Sequence, residues 1–290
     1  MMLRWADLKT VWPNAETSTF VRSGSLDWHL QRAGQGPVLL LLHGTGAGSF
    51  SWGDLLPRLT ARFTVVAPDL PGHGLTSGAT RPDLSLPGMA RALAELLRTL
   101  GLSPVIAVGH SAGAAILLRL ALDRTIAPRL LIGLNPALVP PPAAYRLLLA
   151  PLVHRIAVTR FAASSAASLG ARQGMVDALL RATGSLLPPE RRELYRRLMQ
   201  SEQHVHAVLT MMADWSLTGL ADDLPRLPCS AVLVTGSNDS WIPGRALHRI
   251  ARRIPRLTRL ELAGGHLLHE ESPALVAALI LEQAAAAGIA

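Results

Sequence analysis

Cysteine and lysine are almost missing from this 290-residue chain, where Cys229 is the only thiol and Lys9 the only lysine. A single cysteine forbids an internal disulfide, and beside Pro228, ahead of an apolar run, it reads as a small buried side chain. A lone lysine at position 9 excludes the G-x-x-x-x-G-K-[ST] phosphate loop and so argues against ATP-driven chemistry. No H-E-x-x-H or C-x-x-C occurs, and the pairs His204/His206 and His266/His269 lack the further ligands of a metal site, so neither metal nor cofactor is expected. Aromatic residues are only 4% of the chain and no nucleic-acid motif accompanies its arginines, which argues against a nucleic-acid partner. Long apolar runs are absent too. The uncharged stretch 130–145 has 16 residues and is broken by Asn135, Pro136 and three consecutive prolines, so no transmembrane segment is expected. The opening MMLRWADLKT has no apolar core of the secretory kind, and the expectation is a cytoplasmic protein.

What is plentiful is apolar residue and arginine. Hydrophobic residues make up 49% of the chain, enough for one large domain or a domain with an insertion. The net charge of +8 is unevenly placed. Residues 140–200 hold nine Arg against three acidic groups, and residues 244–260 hold six Arg and no acid. Such patches suit an acidic partner, a carboxylated ligand or an anionic membrane surface, or are simply solvated faces of an arginine-rich protein. The mixed apolar and basic segment LLLAPLVHRIAVTRFAA suits either peripheral membrane contact or a helix packed over a site.

Short apolar runs alternate with helical patterns, which predicts β-α-β units and a mostly parallel sheet flanked by helices. An antiparallel hairpin is expected at 20–21 and 26–32, with further strands at 37–43, 63–69, 104–110, 129–135, 230–236 and 257–262. Helices are expected at 51–61, 86–100, 112–124, 244–254 and 273–286. The alternation stops after Asn135 and resumes near Ser230, a gap too long for a bare loop. Pro188 and Pro189 can open a helix there, with Glu193 and Arg197 as an i,i+4 pair. The chain therefore divides into a core, 1–135 and 225–290, and a helical cap, 136–224, inserted after the sixth strand.

The strongest chemical signal is Gly109-His110-Ser111-Ala112-Gly113, between an apolar strand and a helical run. A G-x-S-x-G turn in that setting holds serine in a strained conformation with its hydroxyl exposed, so Ser111 is the candidate nucleophile. A serine needs a base, and the base an orienting carboxylate. His266, in AGGH just beyond the last strand, is the candidate base, with His269 as its rival. Asp239, three residues past Gly236 at the end of the penultimate strand, is the candidate acid. The other common place for that acid holds Asn135, which cannot carry the charge. The order Ser, Asp, His is that of an α/β-hydrolase. Oxyanion donors are expected from the amides of Ala112, at the start of the nucleophile helix, and Thr45, in His43-Gly44-Thr45-Gly46. That glycine-rich loop lacks G-x-G-x-x-G spacing and is not read as a nucleotide site. Asp69 and His73, in PDLPGHG, are expected to shape a turn beneath the site. Trp52, Trp215 and Trp241 are candidate pocket walls or ordinary core.

HGTG, PDLPGHG, GHSAG, GSND and GGH, in this order, resemble the α/β-hydrolase family throughout the chain outside the cap. WPN before Phe20, then DWHLQRAG, HGTGAGSFSW, FTVVAPDLPGHG, GHSAGAA, LNPAL and MMADW resemble one branch, the magnesium-chelatase accessory proteins (BchO type) of bacteriochlorophyll synthesis, over residues 12–280. That resemblance implies a role beside the ATP-dependent chelatase subunits at magnesium insertion, with those subunits as partners and a tetrapyrrole or other small apolar molecule as ligand. The wider family's triad positions fall on Ser111, Asp239 and His266. Two functions follow: a serine hydrolase cleaving an ester or thioester, or a non-catalytic porphyrin-binding or assembly factor. For the second, Arg146, Arg155 and Arg160 in the cap could meet propionates, and Arg245, Arg249 and Arg252 fall on one helical stripe.

Overall fold

The computed structural model describes residues 3–139 and 173–289. Eight strands form one sheet in the order β1-β2-β4-β3-β5-β6-β7-β8. They are β1 (Ser18–Ser23), β2 (Leu26–Ala33), β3 (Val38–Leu42), β4 (Thr64–Pro68), β5 (Ile106–His110), β6 (Leu130–Leu134), β7 (Ser230–Gly236) and β8 (Leu257–Leu262). β1 and β2 are an antiparallel hairpin, β2 pairs antiparallel with β4, and every pair from β4 to β8 is parallel. β1 is longer than its two apolar residues suggest, because its polar flanks continue the register from Ser18 opposite Gln31 to Ser23 opposite Leu26. The order reverses between β3 and β5, and the carboxyl ends of strands at such a reversal are where open α/β sheets bind ligands.

Successive residues of the parallel strands serve opposite faces. Leu40 and Leu42 of β3 join a core with α1 (Leu86–Thr99) and α2 (Ala112–Leu122). Leu39 and Leu41 join a second core under the C-terminal helix, Pro273–Ala286. All four leucines are fully buried, each worth roughly 1.5–3 kcal/mol. The single helix expected at 51–61 is instead a 3-10 turn, Ser49–Trp52, and a separate short helix, Leu56–Leu59. Pro57 explains the break: it has no N–H to continue a helix from the preceding turn and is tolerated only within a new first turn.

Of the expected cap, residues 140–172 lie outside the described residues, and with them Arg146, Arg155, Arg160 and the whole segment LLLAPLVHRIAVTRFAA. The remainder contains α3 (Gln173–Ala182), α4 (Pro189–Met199) and α5 (Glu202–Asp214). On α4 Glu193 pairs with Arg197 at 2.9 Å. Ser201 caps α5, its hydroxyl accepting from the His204 N–H at 3.3 Å. In the core, α6 (Gly244–Ala251) follows β7, and α7 (Pro273–Ala286) closes the chain.

Candidate active site

Ser111 stands at the junction of β5 and α2 with φ 50° and ψ −117°, a conformation costly for a residue with a Cβ. The neighbouring strand holds it there. Its N–H donates to Leu134 O at 2.9 Å, and its carbonyl accepts from Ala137 N at 3.0 Å and Ala114 N at 3.1 Å. Gly113 makes the sharp turn possible, since a Cβ there would lie 2.2 Å from Leu42 O. Ser111 is 7% exposed, so the hydroxyl is reachable only from the site itself.

The side chains of Ser111, His266 and Asp239 meet at the carboxyl ends of β5, β7 and β8. His266 Nδ1 is 2.9 Å from Asp239 Oδ2, and its Nε2 is 3.1 Å from Ser111 Oγ. With Nδ1–H donating to the carboxylate, Nε2 is left as the acceptor for the serine O–H. Asp239 is strongly held: Oδ1 accepts the N–H of Trp241 and of Ile242, both at 2.8 Å, and Oδ2 also accepts Asn135 Nδ2 at 2.7 Å. The turn after α3 packs between the two loops. The Thr183 carbonyl accepts from His266 N at 3.2 Å and Ser240 N at 3.4 Å, and Ser185 Oγ accepts from Leu267 N at 2.8 Å.

The loop after β3 lies directly on the nucleophile. A Cβ on Gly44 would sit 2.9 Å from Ser111 Cβ and 2.8 Å from His110 Nδ1. The Gly44 carbonyl accepts from His43 Nδ1–H at 2.8 Å and Ala47 N at 3.3 Å. In a trans peptide the Thr45 N–H then points away from that carbonyl. Among the described residues the N–H groups of Thr45 and Ala112 meet no acceptor. Ala112 is the first residue of α2, where an unmet donor and the helix dipole favour negative charge. Met211 of α5 covers this loop, taking the Thr45 hydroxyl at 3.4 Å on its sulfur.

Burial disfavours the charged form of the surrounding imidazoles. Burial pushes His110 and His269 well below the usual histidine range, with His266 and its neighbours adding to the effect, and burial also lowers His43. The His269 ring lies 4.4 Å from that of Trp52, tilted by 39°, while His266 faces Ser111. His110 sits behind the base, its Nε2 2.9 Å from the His266 carbonyl. Asp69 and His73 serve the turn. Asp69 receives His29 Nδ1 at 2.9 Å, Ser49 N at 2.6 Å and Leu75 N at 2.8 Å. Burial works to raise Asp69, but His29 and these donors outweigh it and leave it at about 2. Trp52 is fully buried, and Trp215 and Trp241 are half-buried against the core. Among the described residues no group of three or more His, Cys, Asp or Glu could hold a metal ion, and no helix is long and apolar enough to cross a membrane.

Two features have weak or no sequence signals. Asn135 is a donor to the acid rather than an idle substitute for it, with φ 46° at the end of β6. Its place at the alternative acid position was the available hint. Glu270, buried beyond His266, accepts the Tyr195 hydroxyl at 2.5 Å and lies 3.5 Å from Arg191 Nε, whose Nη2 also reaches Asp54 at 2.7 Å. Arg191 and Tyr195 both belong to α4, so this cluster ties α4 to the segment that carries the base.

A parallel sheet with a strained serine after β5, an acid after β7 and a histidine after β8 defines an α/β-hydrolase. The chain belongs to that family: the alpha/beta hydrolase family model matches residues 39–279. Among its relatives is the magnesium-chelatase 30 kDa subunit of Rhodobacter capsulatus, 36% identical over 93% of this chain and 95% of that one. Its fold is shared with an α/β-hydrolase-fold protein from Burkholderia ambifaria (TM-score 0.76, 25% identity, 97% and 99% of the two chains). It is also shared with a thermophilic esterase from Thermogutta terrifontis (TM-score 0.72, 22% identity, 93% and 98%).

Proposed function

We propose that this protein is a serine hydrolase acting on a carboxylic ester or thioester, in the cytoplasm, as an accessory to magnesium chelation in bacteriochlorophyll synthesis. The observation that carries the catalytic part is the hydrogen-bonded run from Ser111 Oγ through His266 to Asp239, ending on a serine held in a strained turn. The biosynthetic setting rests on the likeness to the magnesium-chelatase 30 kDa subunit.

Ser111 Oγ attacks the carbonyl carbon as its proton passes to His266 Nε2. Asp239 keeps the imidazole in the acceptor tautomer and stabilises the imidazolium that forms. The negative oxygen is met by the N–H groups of Thr45 and Ala112. His266 then gives the proton to the departing alcohol or thiol, and water, deprotonated by the same nitrogen, releases the acid and restores Ser111. Of the described cap residues, Met211 covers the Thr45 loop, and a tetrapyrrole ester or an acyl group on a partner is the substrate class. Chelatase subunits are the expected partners.

One observation favours a second reading, a non-catalytic porphyrin-binding or assembly factor. Arg245, Arg249 and Arg252 are all exposed, with no acidic residue between 244 and 260. A strain lacking the gene separates the two. Hydrolysis of chromogenic esters by the wild type but not by Ser111→Ala, with pigment restored only by the wild type, supports catalysis. Full restoration of pigment by Ser111→Ala overturns it.

A further inference from the structure

At the amino ends of the strands, opposite the edge that carries Ser111, three loops end side by side. They connect α2 to β6, lead into β7, and connect α6 to β8, and those strands are adjacent in the sheet. Between them lies a groove of about 570 Å³ lined by Arg124, Arg129 and Arg256 together with Ile126, Pro128 and Pro228. Among the described residues no carboxylate lines it, and Cys229 is pushed by burial up to about 11, so the thiol stays uncharged. Arg129 donates to the carbonyls of Ala287 at 2.8 Å and Gly288 at 3.3 Å, and Arg256 to that of Pro228 at 2.5 Å. Carbonyls hold the two guanidinium groups in place without cancelling their charge.

We propose that this groove is an anion site that takes a phosphate or carboxylate group attached to an apolar body. Three arginines lining one groove, with no carboxylate among its described lining residues, set up a positive potential that an anion relieves. Planar guanidinium forks bind such groups through paired N–H donors. The isoleucine and prolines give the attached hydrocarbon a surface, which a free inorganic anion would leave wet. Five-residue strands such as β6 put this groove roughly 17 Å from the catalytic edge, so it is separate from the site of Ser111 and does not depend on the hydrolase reading.

The test uses the full chain at low salt, titrated with pyrophosphate, with dodecyl phosphate below its micelle concentration, and with vesicles of phosphatidylglycerol in phosphatidylcholine. Saturable binding of dodecyl phosphate is expected, tighter than that of pyrophosphate and lost on adding salt. Arg124→Gln and Arg256→Gln should each weaken it about tenfold, and Ser111→Ala should leave it unchanged. Hydrogen exchange on the wild type, which needs no variant to fold, should slow at 124–130 and 228–230 when ligand is present. Binding to vesicles as well as to dodecyl phosphate identifies a lipid headgroup as a source, and binding to dodecyl phosphate alone a free amphiphile. No saturable binding of any probe, binding unaltered in both variants, or protection elsewhere in the chain overturns the proposal.

Discussion

Replacing Asp239 by Asn tests the proposed chemistry with a change of one atom. The carboxylate accepts four hydrogen bonds, two at Oδ1 from backbone N–H groups and two at Oδ2 from His266 and Asn135. An amide has only one acceptor oxygen. If that oxygen stays with Trp241 and Ile242, the new NH2 faces Asn135 Nδ2 across 2.7 Å and His266 Nδ1 across 2.9 Å. If the amide turns over, two backbone donors face it instead. The first arrangement forces His266 to carry its proton on Nε2, opposite the serine hydroxyl it must deprotonate. Loss of the base in this way costs about ten-thousand-fold in kcat, roughly 5 kcal/mol of transition-state stabilisation. The assay is kcat on a chromogenic ester, read beside the rate of fluorophosphonate labelling. A variant that keeps kcat within about tenfold of the wild type, while Ser111→Ala is inactive, refutes the assignment of Asp239 as the orienting acid.

Asn135→Asp places two carboxylates across the same 2.7 Å contact, where one retains a proton, so the rising limb of the pH–rate profile should move upward; an unmoved profile contradicts this. Gly44→Ala puts a Cβ within 2.9 Å of Ser111 Cβ, displaces the Thr45 amide and should lower kcat about a hundredfold with little change in KM, while an unaltered kcat would remove Thr45 from the oxyanion hole. Burial raises Glu270 from 4.5 to about 7 even though Arg191 and Tyr195 act to lower it. The folded protein then holds a proton that the unfolded chain has released, so stability falls as pH rises through that window, by on the order of 3 kcal/mol. Urea melts between about pH 5 and pH 8 should show this slope in the wild type and lose it in Glu270→Gln. An identical slope in both would exclude Glu270 as its source.

The sheet was legible because its inner parallel strands are covered on both faces, and runs such as PVLLLLH record that double burial directly. The nucleophile turn was legible for a similar reason: strand, glycine-flanked serine and helix have to follow one another for Ser111 to adopt its φ of 50°. Elements decided by a single local residue were harder, as the expected helix at 51–61 shows, since its apolar spacing continued through Pro57 while its backbone hydrogen bonding could not. The contacts that hold the site together were the least legible. Asn135 reads from sequence as a residue unable to be the acid, and only its position beside β7 turns it into the acid's partner. Arg191 and Tyr195 gave no hint of Glu270, because helix spacing on α4 says which face a residue occupies and nothing about which distant segment it meets. The exposed arginines of α6 were countable in the sequence, whereas the meeting of Arg124 and Arg129 with Arg256 needed the strand order.

The claim on which the catalytic account stands is that the Ser111 hydroxyl is made nucleophilic by His266. Incubation with a fluorophosphonate followed by peptide mass spectrometry measures that directly. The predicted result is one adduct per chain, on the peptide containing Ser111, formed fast in the wild type and slowly in His266→Ala. An unlabelled wild type, or an adduct that persists in Ser111→Ala, would contradict it.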